Sequence, residues 1–261
     1  MTRGTPILGS EAAAADSAPL HRSIAFFDVD ETLIATKSML DFWSFWRASG
    51  TWTPSAGHAH AVPGAGVDRA TLNRDYYRRF AGVPIHALRS AARRWYENYR
   101  QGPYAFVSAG VEALRRHRLL GHDVVLVSGS LRPLVEAVAE DLGADEVWCT
   151  EQAVTDEGLL TGEVDRPMIG QAKADAVTAV LSARGVPGAA CFAYGDHESD
   201  LAMLRRVGHP VVVGDSRALV GEAERCGWTV ISGRPGPGDN GADRPFPPGR
   251  TPDVRPDSLP R

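Results

Sequence analysis

Four aspartates follow two of the apolar runs in the sequence. Asp28 and Asp30 come directly after the first run, and Asp196 and Asp200 come after the fourth. Because side chains alternate along an extended chain, Asp28 and Asp30 should project to one side. Four converging carboxylates would repel each other unless a cation bridged them, and hard oxygen ligands without histidine or cysteine favour Mg²⁺ over zinc. The spacing therefore predicts a magnesium site that uses these four aspartates.

The ends of other elements carry residues suited to holding an anion. Ser128 and Gly129 follow the second apolar run, and a helix is expected to start near Pro133. A hydroxyl and free backbone N–H groups at a helix N-terminus would cradle an anion there. Lys173 opens a further amphipathic helix and would supply a compact positive charge. A carboxylate nucleophile, a second carboxyl group, a divalent ion and positive donors are the set that phosphoryl transfer needs.

The elements that position these residues are short apolar runs, rich in β-branched and aromatic residues. Such runs are typical of strands buried on both faces, and here they lie at 24–27, 124–127, 147–149, 190–193 and 211–213. Helical patterns intervene at 111–120, 134–142, 172–183 and 200–207. The alternation predicts an α/β fold, a Rossmann-like doubly wound parallel sheet with right-handed crossovers. Ligands of such sheets gather beyond the carboxyl ends of the strands, where the polar residues fall.

The stretch between the first two strands looks helical and contains no strand candidate, so it predicts an inserted cap domain. The predicted organisation is a disordered tail at 1–22, a catalytic core at 23–36 and 106–231, a helical cap at 37–105, and a disordered Pro/Gly-rich tail at 232–261. Two aromatic pairs four residues apart, Tyr76 with Phe80 and Trp95 with Tyr99, indicate the packing of the cap. Candidates for facing the crevice from the cap are Trp46, Arg74, Arg78 and Arg79.

Composition limits the possible partners. The 261 residues include 28 basic and 32 acidic side chains, so a formal charge of −4 argues against a global attraction to nucleic acid or an anionic membrane. The three cysteines have neither disulfide nor zinc spacing, and no segment resembles an export signal or a membrane span. We therefore expect a cytoplasmic protein, and the sequence does not indicate its oligomeric state.

In their order along the chain, four motifs resemble those of the haloacid dehalogenase-like phosphatases, specifically the phosphoserine-phosphatase-like branch. The resemblance extends from Ile24 to Ile231. The motifs are Asp28-Val29-Asp30-Glu31-Thr32-Leu33, Val127-Ser128-Gly129-Ser130, Lys173, and Gly195-Asp196-His197-Glu198-Ser199-Asp200-Leu201. Each is weak alone, but four in order at predicted element ends are a strong signal. The resemblance implies a phosphatase acting on a small phosphorylated metabolite, with a helical cap that closes over the crevice and selects the substrate.

The resemblance also implies a role for each matching residue. Asp28 would attack phosphorus to form an aspartyl-phosphate, and Asp30 would protonate the leaving oxygen and then activate water. Asp28, the Asp30 carbonyl and Asp196 would hold Mg²⁺. Asp200 would support Lys173 or the metal. The residues expected to bind the phosphate are Thr32, Ser128, Gly129 and Lys173.

Two positions depart from the pattern of the branch. Glu31 stands where the branch usually has glycine or serine, which places an added carboxylate beside the site. Lys37 stands where phosphoserine phosphatases have a glutamate that meets the substrate amine. A cation would repel an amine and attract a second anionic group, so Lys37 is predicted to select a substrate other than phosphoserine.

Three alternative functions stay open. A phosphotransferase or mutase would use an acceptor hydroxyl in place of water. A phosphopeptide phosphatase like the C-terminal-domain phosphatases shares the Asp-x-Asp-Glu-Thr string but lacks a large cap and the Gly-Asp-x3-Asp turn. A non-catalytic binding protein would keep the fold, with Glu31 as the inactivating change. His197 is interpreted as a bystander in its turn, and His58 and His60 lack a third ligand for a metal site.

Overall fold

The computed structural model describes residues 22–50 and 68–236. His58 and His60 lie outside the described residues, as do residues 1–21 and 237–261 of the two predicted tails. Within the described part of the chain, no helix is both long enough and apolar enough to span a bilayer.

Within residues 22–50 and 68–236, eight strands form two sheets. In chain order they are β1 (Ile24–Phe27), β2 (Asp123–Leu131), β3 (Glu146–Thr150), β4 (Gln152–Val154), β5 (Leu160–Val164), β6 (Phe192–Gly195), β7 (His209–Val213) and β8 (Thr229–Ile231). Six of them make a sheet in the order β3-β2-β1-β6-β7-β8, and every neighbouring pair in it is parallel. The strand order reverses between β1 and β6. This sheet confirms the predicted Rossmann-like α/β fold.

Eight α-helices accompany the strands. In chain order they are α1 (Ser38–Ala48), α2 (Arg69–Arg78), α3 (Ile85–Tyr99), α4 (Ser108–Leu119), α5 (Arg132–Leu142), α6 (Gln171–Arg184), α7 (Leu201–Leu204) and α8 (Arg217–Cys226), all within the described ranges. The first three lie between β1 and β2 in the chain. Short 3₁₀ turns precede β6 and α7, at Gly188–Ala190 and Glu198–Asp200.

Strand β1 is central because every one of its side chains is apolar and buried. Alternation divides them between two clusters: Ala25 and Phe27 belong to one face, and Ile24 and Phe26 to the other. Burying a large apolar side chain on each face contributes about 1.5–3 kcal/mol per residue. This packing holds the residues that follow β1 at a defined height above the sheet.

The cap helices are held by aromatic side chains and by one buried ion pair to the core. The Phe80 ring lies 5.4 Å from that of Tyr76, and the rings of Trp95 and Tyr99 are 5.2 Å apart, so both predicted pairs are confirmed. Arg100 Nη2 lies 2.8 Å from Asp141 Oδ1 of α5, and both side chains are buried. Because an unpaired buried charge is costly, this ion pair fixes α3 against the core.

A two-stranded hairpin, β4 and β5, was not predicted and extends the cap from within the core segment. Gly82 N donates to Leu160 O at 2.7 Å, and Leu160 N donates to Val83 O at 2.8 Å. The hairpin therefore pairs with the turn that follows α2, although it lies in the segment 106–231 that the sequence assigned to the core. Its two strands are short and half of their residues are exposed, so the sequence contains no apolar run that would predict them.

The tail boundaries also need correction. Pro235 forms a β-bridge with Val107, and Gly236 N donates to Phe106 O at 3.4 Å. At the other end, Arg22 Nη1 lies 3.4 Å from Asp123 Oδ1. Arg22 and residues 232–236 thus contact the core, and the prediction that the tails begin at these positions is wrong there. Strand β8 and helix α8 were likewise absent from the predicted elements.

Candidate active site

The candidate site lies where β1 and β6 end side by side. Asp28 follows β1 and Asp196 follows β6, and the backbone N–H of Asp28 donates to Tyr194 O at 2.9 Å. This bond ties the two strand ends together. The reversal of strand order opens a crevice at this point, the usual place for ligands in open parallel sheets.

A buried lysine joins two carboxylates in this crevice. Lys173 Nζ lies 2.7 Å from Asp28 Oδ1 and 2.6 Å from Asp200 Oδ1. The residue is only 3% exposed, and Asp200 is fully buried. Although burial opposes its charge, the carboxylates of Asp200 and Asp28 raise the pKa of Lys173 above its ordinary value. Lys173 is therefore a fixed cation that holds Asp28 Oδ1 in position.

Three of the predicted metal ligands form one acidic cluster. Single oxygens of Asp28, Asp196 and Asp200 all lie within 4.8 Å of one another. Burial, followed by the charges of Asp28 and Asp200, raises the pKa of Asp196 to about 9. Because one lysine does not offset three carboxylates, Asp196 would keep a proton at neutral pH unless a cation took its place, and the cluster offers hard oxygen donors. These properties fit a divalent cation.

Asp30 stands apart from this cluster. Its carboxylate is not among the three grouped side chains, so the predicted convergence of four aspartate carboxylates is met by three, and the contact of the Asp30 carbonyl with a metal stays a prediction. Burial, followed by the charge of Asp28, raises the pKa of Asp30 to about 7. One of its oxygens, Oδ1, is buried and has no hydrogen-bond partner among the described residues. A carboxyl group with this pKa can carry a proton at neutral pH and exchange it.

Both carboxylate oxygens of Asp200 accept hydrogen bonds from other residues of the site. Its Oδ1 accepts from Lys173 Nζ, and its Oδ2 accepts from His197 N at 3.0 Å. His197 Nδ1 accepts from Ser199 N at 3.0 Å, so the histidine caps the turn at Glu198–Asp200. Both contacts favour a positioning role for Asp200. They also give His197 a structural role that was not predicted.

The tight approach at Gly195 explains the glycine of the fourth motif. A Cβ atom there would lie 2.6 Å from Asp200 Cβ, a distance that real Cβ contacts do not reach. Only a residue without a side chain lets β6 pass this close to Asp200. The glycine is therefore needed to bring Asp200 to Lys173.

Thr32 makes a contact different from the one expected. Its hydroxyl donates to Asp196 Oδ1 at 3.2 Å, and the residue is fully buried. Thr32 is also not among the residues that line the crevice. Its position supports orientation of Asp196 in place of the predicted contact with phosphate.

The end of β2, from Ser128 to Ser130, is held by hydrogen bonds from the cap and from the sheet. Its Gly129 carbonyl accepts from Asn73 Nδ2 at 2.8 Å, Tyr77 Oη at 3.2 Å and Thr150 Oγ1 at 3.1 Å. The first two donors belong to α2 of the cap. Ser128 and Gly129 line the crevice beside Asp28, as expected of phosphate-binding residues.

A hydrogen bond between two serines also joins the cap to the end of β2. Ser38, the first residue of α1, and Ser130 have their hydroxyl oxygens 2.6 Å apart, and both residues are buried. Ser38, Asn73 and Tyr77 were not predicted as residues of the site. Nothing in the local pattern distinguishes them from ordinary helix residues, because their partners lie far away in the chain.

Lys37 lies at the mouth of the crevice, opposite the buried Lys173. Its Nζ is 3.3 Å from Glu31 Oε2, and about half of each side chain is exposed. Glu31 has a φ of +58°, which is left-handed backbone that glycine adopts without strain. This conformation accounts for the small residue that the family pattern has at this position.

The crevice has a volume of about 360 Å³ and is lined by both domains. From the cap, Arg69 lines it and was not predicted. The three candidate arginines lie elsewhere: Arg74 donates to Val164 O, Arg78 pairs with Glu163, and Arg79 stacks over Trp43. Trp46 is buried within the cap. The prediction that these four residues face the crevice is wrong, because the hairpin and the aromatic core engage them.

The positive charges of Arg69 and Lys37 act on His197, the first residue of the turn. Burial, followed by the positive charge of Arg69 and more weakly that of Lys37, lowers the pKa of His197.

Comparison with known proteins assigns the chain to a family. The model of the haloacid dehalogenase-like hydrolases matches residues 25–205. A probable phosphatase of Mycobacterium tuberculosis is 35% identical over 224 residues, which cover 83% of this chain and 77% of the relative. A phosphoserine phosphatase of the same organism is 35% identical over 199 residues, covering 76% of this chain and 46% of that protein.

A solved structure agrees in fold. Phosphoserine phosphatase in its apo form superposes with a TM-score of 0.58 at 18% identity, covering 82% of this chain and 95% of that one. At this identity the likeness concerns the fold alone, whereas the family model and the sequence relatives concern the activity. The chain belongs to the haloacid dehalogenase-like hydrolase family, in its phosphoserine-phosphatase-like branch, and is a phosphoric monoester hydrolase.

Proposed function

We propose that this protein is a Mg²⁺-dependent phosphatase that hydrolyses a small-metabolite phosphomonoester through an aspartyl-phosphate on Asp28. The observation that carries the proposal is the placement of Lys173 between Asp28 and Asp200, beside the cluster completed by Asp196. Here a carboxylate oxygen is held in place at the end of β1, with positive charge next to it. That arrangement suits attack on a phosphoryl group.

In the first half of the reaction, Asp28 attacks phosphorus and the bond to the ester oxygen breaks. Asp30 gives its proton to the departing oxygen, so the leaving group departs as a neutral alcohol. The raised pKa of Asp30, about 7, supports this role. Ser128, Gly129 and Lys173 hold the phosphoryl oxygens during the transfer.

In the second half, Asp30 takes a proton from water, and the oxygen of that water attacks phosphorus. The bond between phosphorus and the Asp28 carboxylate breaks, which releases inorganic phosphate and restores the carboxylate. Asp30 ends the cycle protonated, as it began. One carboxyl group thus serves as acid and then as base.

Asp28, Asp196 and the Asp30 carbonyl would hold the Mg²⁺ ion. When bound, the ion offsets the surplus negative charge of the cluster and stabilises charge on the phosphoryl oxygens. Asp200 would contribute through Lys173, to which its Oδ1 is already bonded. Thr32 would orient Asp196.

The size of the crevice supports a small substrate. About 360 Å³ between the cap and the core accommodates a metabolite and excludes a folded polypeptide. Contacts of α1 and α2 with the end of β2 at Ser130 and Gly129 support a cap that covers the proposed phosphate-binding residues. A protein-phosphatase function is therefore disfavoured.

The proposal is tested by trapping the covalent intermediate. Protein mixed with p-nitrophenyl phosphate and Mg²⁺, then quenched in acid, should carry one phosphoryl group in the peptide that contains Asp28. Removal of divalent ions with EDTA should abolish turnover, and Mg²⁺ should restore it. Phosphorylation of another residue, or full turnover in EDTA, would contradict the proposal.

The role of Asp30 is tested separately with Asp30→Asn. p-Nitrophenolate leaves without a proton, so the variant should still form the phosphoenzyme from p-nitrophenyl phosphate but accumulate it, because the base for the second half is missing. An alkyl phosphate should form little phosphoenzyme. Phosphoryl transfer to added alcohols or sugars in place of water would instead identify a phosphotransferase.

A further inference from the structure

The crevice is lined by positive charge from the cap as well as from the core. Lys37 immediately precedes α1, and Arg69 is the first residue of α2, and both line the crevice. The chain contains only two lysines, Lys37 and Lys173, and both face this crevice. The phosphoryl group already has Lys173. The pair Lys37 and Arg69, here called the cationic rim, is available for another anion.

Both charges of the cationic rim are free to bind a ligand. Arg69 is exposed and has no ion pair with the part of the chain that the structure describes. Lys37 meets Glu31 at 3.3 Å, but both side chains are about half exposed, and such pairs contribute little, about 0–1 kcal/mol. An incoming anion can therefore displace Glu31 at small cost. The rim would still carry net positive charge with Glu31 in place.

Aliphatic side chains line the same crevice as the cationic rim and the reacting aspartates. Met39, Leu40 and Leu72 line the crevice, and Leu40 and Leu72 are 60% and 37% exposed. Large apolar side chains exposed inside a crevice favour contact with carbon atoms of a ligand. They offer no partner to an amine.

Two buried polar atoms beside these aliphatic residues also lack partners. Tyr76 and Asn73 line the crevice and are 4% and 6% exposed, and neither Tyr76 Oη nor Asn73 Oδ1 has a hydrogen-bond partner among the described residues. Buried polar atoms are normally paired. Because neither atom is accessible from the crevice, a ligand does not contact them in this conformation.

We propose that the leaving group of the substrate carries a second anionic group, a carboxylate or a phosphate, which binds the cationic rim while its carbon skeleton contacts Leu40 and Leu72. This inference rests on the proposed phosphatase function and specifies its substrate class as doubly anionic phosphomonoesters. Lys37 and Arg69 are specificity residues, because they contact the part of the substrate that does not react.

Matched substrates test the class. 3-Phosphoglycerate and glycerol 3-phosphate differ only by a carboxylate in place of a hydroxymethyl group, and fructose 1,6-bisphosphate and fructose 6-phosphate differ by one phosphate. In at least one pair, kcat/KM should be about tenfold or more higher for the doubly anionic member, as expected from roughly 1.4 kcal/mol. Phosphoethanolamine, which has an amine and no second anion, should be hydrolysed slowly.

Variants of the cationic rim assign the preference to its residues. Lys37→Gln, Arg69→Gln and the double variant should raise KM for the doubly anionic member with a small change in kcat, and the double variant should bring the ratio of the pair close to one. Arg94→Gln is the matched control, since Arg94 is an exposed cap arginine outside the crevice lining. It should leave the ratio unchanged.

The outcomes separate this inference from the proposed function. If p-nitrophenyl phosphate is hydrolysed with Mg²⁺ but neither substrate pair shows a preference, the inference is wrong and the phosphatase function stands. It is also wrong if the preference survives in the double variant. If no phosphomonoester is hydrolysed, the proposed function itself fails. Each ratio is measured within one protein, so partial loss of folding does not affect it.

Discussion

The two sides of the crevice hold their charges in opposite ways. On the core side, Lys173 is buried and bonded to two carboxylates at 2.7 and 2.6 Å. On the cap side, Lys37 is half exposed and has one loose partner at 3.3 Å. A buried, fully paired charge is costly to disturb, whereas an exposed one can be exchanged with little effect on folding. The core side is thus suited to a fixed reaction and the cap side to changes of substrate.

The most severe test of the core side is Asp28→Asn. Loss of the nucleophilic charge should lower kcat by about 10⁴-fold or more. The amide keeps the shape of the side chain and Lys173 keeps Asp200, so the Tm should be unchanged or higher. Steady-state phosphate release and thermal unfolding measure both effects. Asp75→Asn, on the cap surface, should retain full activity, and substantial turnover in Asp28→Asn would remove the assigned role.

Replacing each lysine by methionine compares the two sides directly. Lys173→Met leaves Asp28 and Asp200 buried without their cation, which should lower the free energy of unfolding by about 3–5 kcal/mol and abolish activity. Lys37→Met should change it by no more than about 0.5 kcal/mol. Urea unfolding in EDTA measures both values. Equal losses in the two variants would show that the contrast between the sides does not exist.

A smaller effect is expected when the support of Asp200 is disturbed. In Gly195→Ala the new Cβ would lie 2.6 Å from Asp200 Cβ, so the strand or the aspartate must move. We expect a loss of about 1–3 kcal/mol in stability and reduced turnover. Gly221→Ala, a helical position with no atom within 4 Å of the added Cβ, is the control and should stabilise the protein by about 0.5–1 kcal/mol.

A buried histidine sharpens the comparison, because it avoids the cost of burial by staying neutral. His117 contacts Tyr194 Oη and His122 Nδ1, both at 2.8 Å, and burial, followed by the neighbouring positive charges, lowers its pKa from 6.5 to about 4. Below pH 6.5 the unfolded chain takes up a proton that the folded chain refuses. Stability should therefore fall by about 1.4 kcal/mol per pH unit from this group as the pH drops from 6.5 towards 4.

The measurement is urea unfolding of wild type and His117→Gln across that pH range. As the pH falls, the free energy of unfolding of wild type should decrease more steeply than that of His117→Gln. His86→Gln, on the exposed face of α3, should follow wild type. Parallel curves for His117→Gln and wild type would show that His117 does not titrate as described.

The sequence predicted the elements whose signal is local. Strand β1 and the strand that ends before Asp196 are continuous apolar runs, and the motif residues stand at their ends, so the acidic cluster and Lys173 could be identified. The β4–β5 hairpin could not, because its strands are short and partly exposed and it is stabilised by the turn after α2. Arg69 was missed for a similar reason: only the docking of α2 places it at the crevice.

The three hydrogen bonds on Gly129 O have a consequence for the catalytic cycle. Two of the donors, Asn73 and Tyr77, belong to α2, and the third, Thr150, belongs to β3 of the sheet. If α2 moves away from the core to open the crevice, two of these three bonds break, and the proposed phosphate-binding residues Ser128 and Gly129 lose restraint at the same time. Opening of the cap and loosening of the backbone at the end of β2 are thus coupled through one carbonyl oxygen.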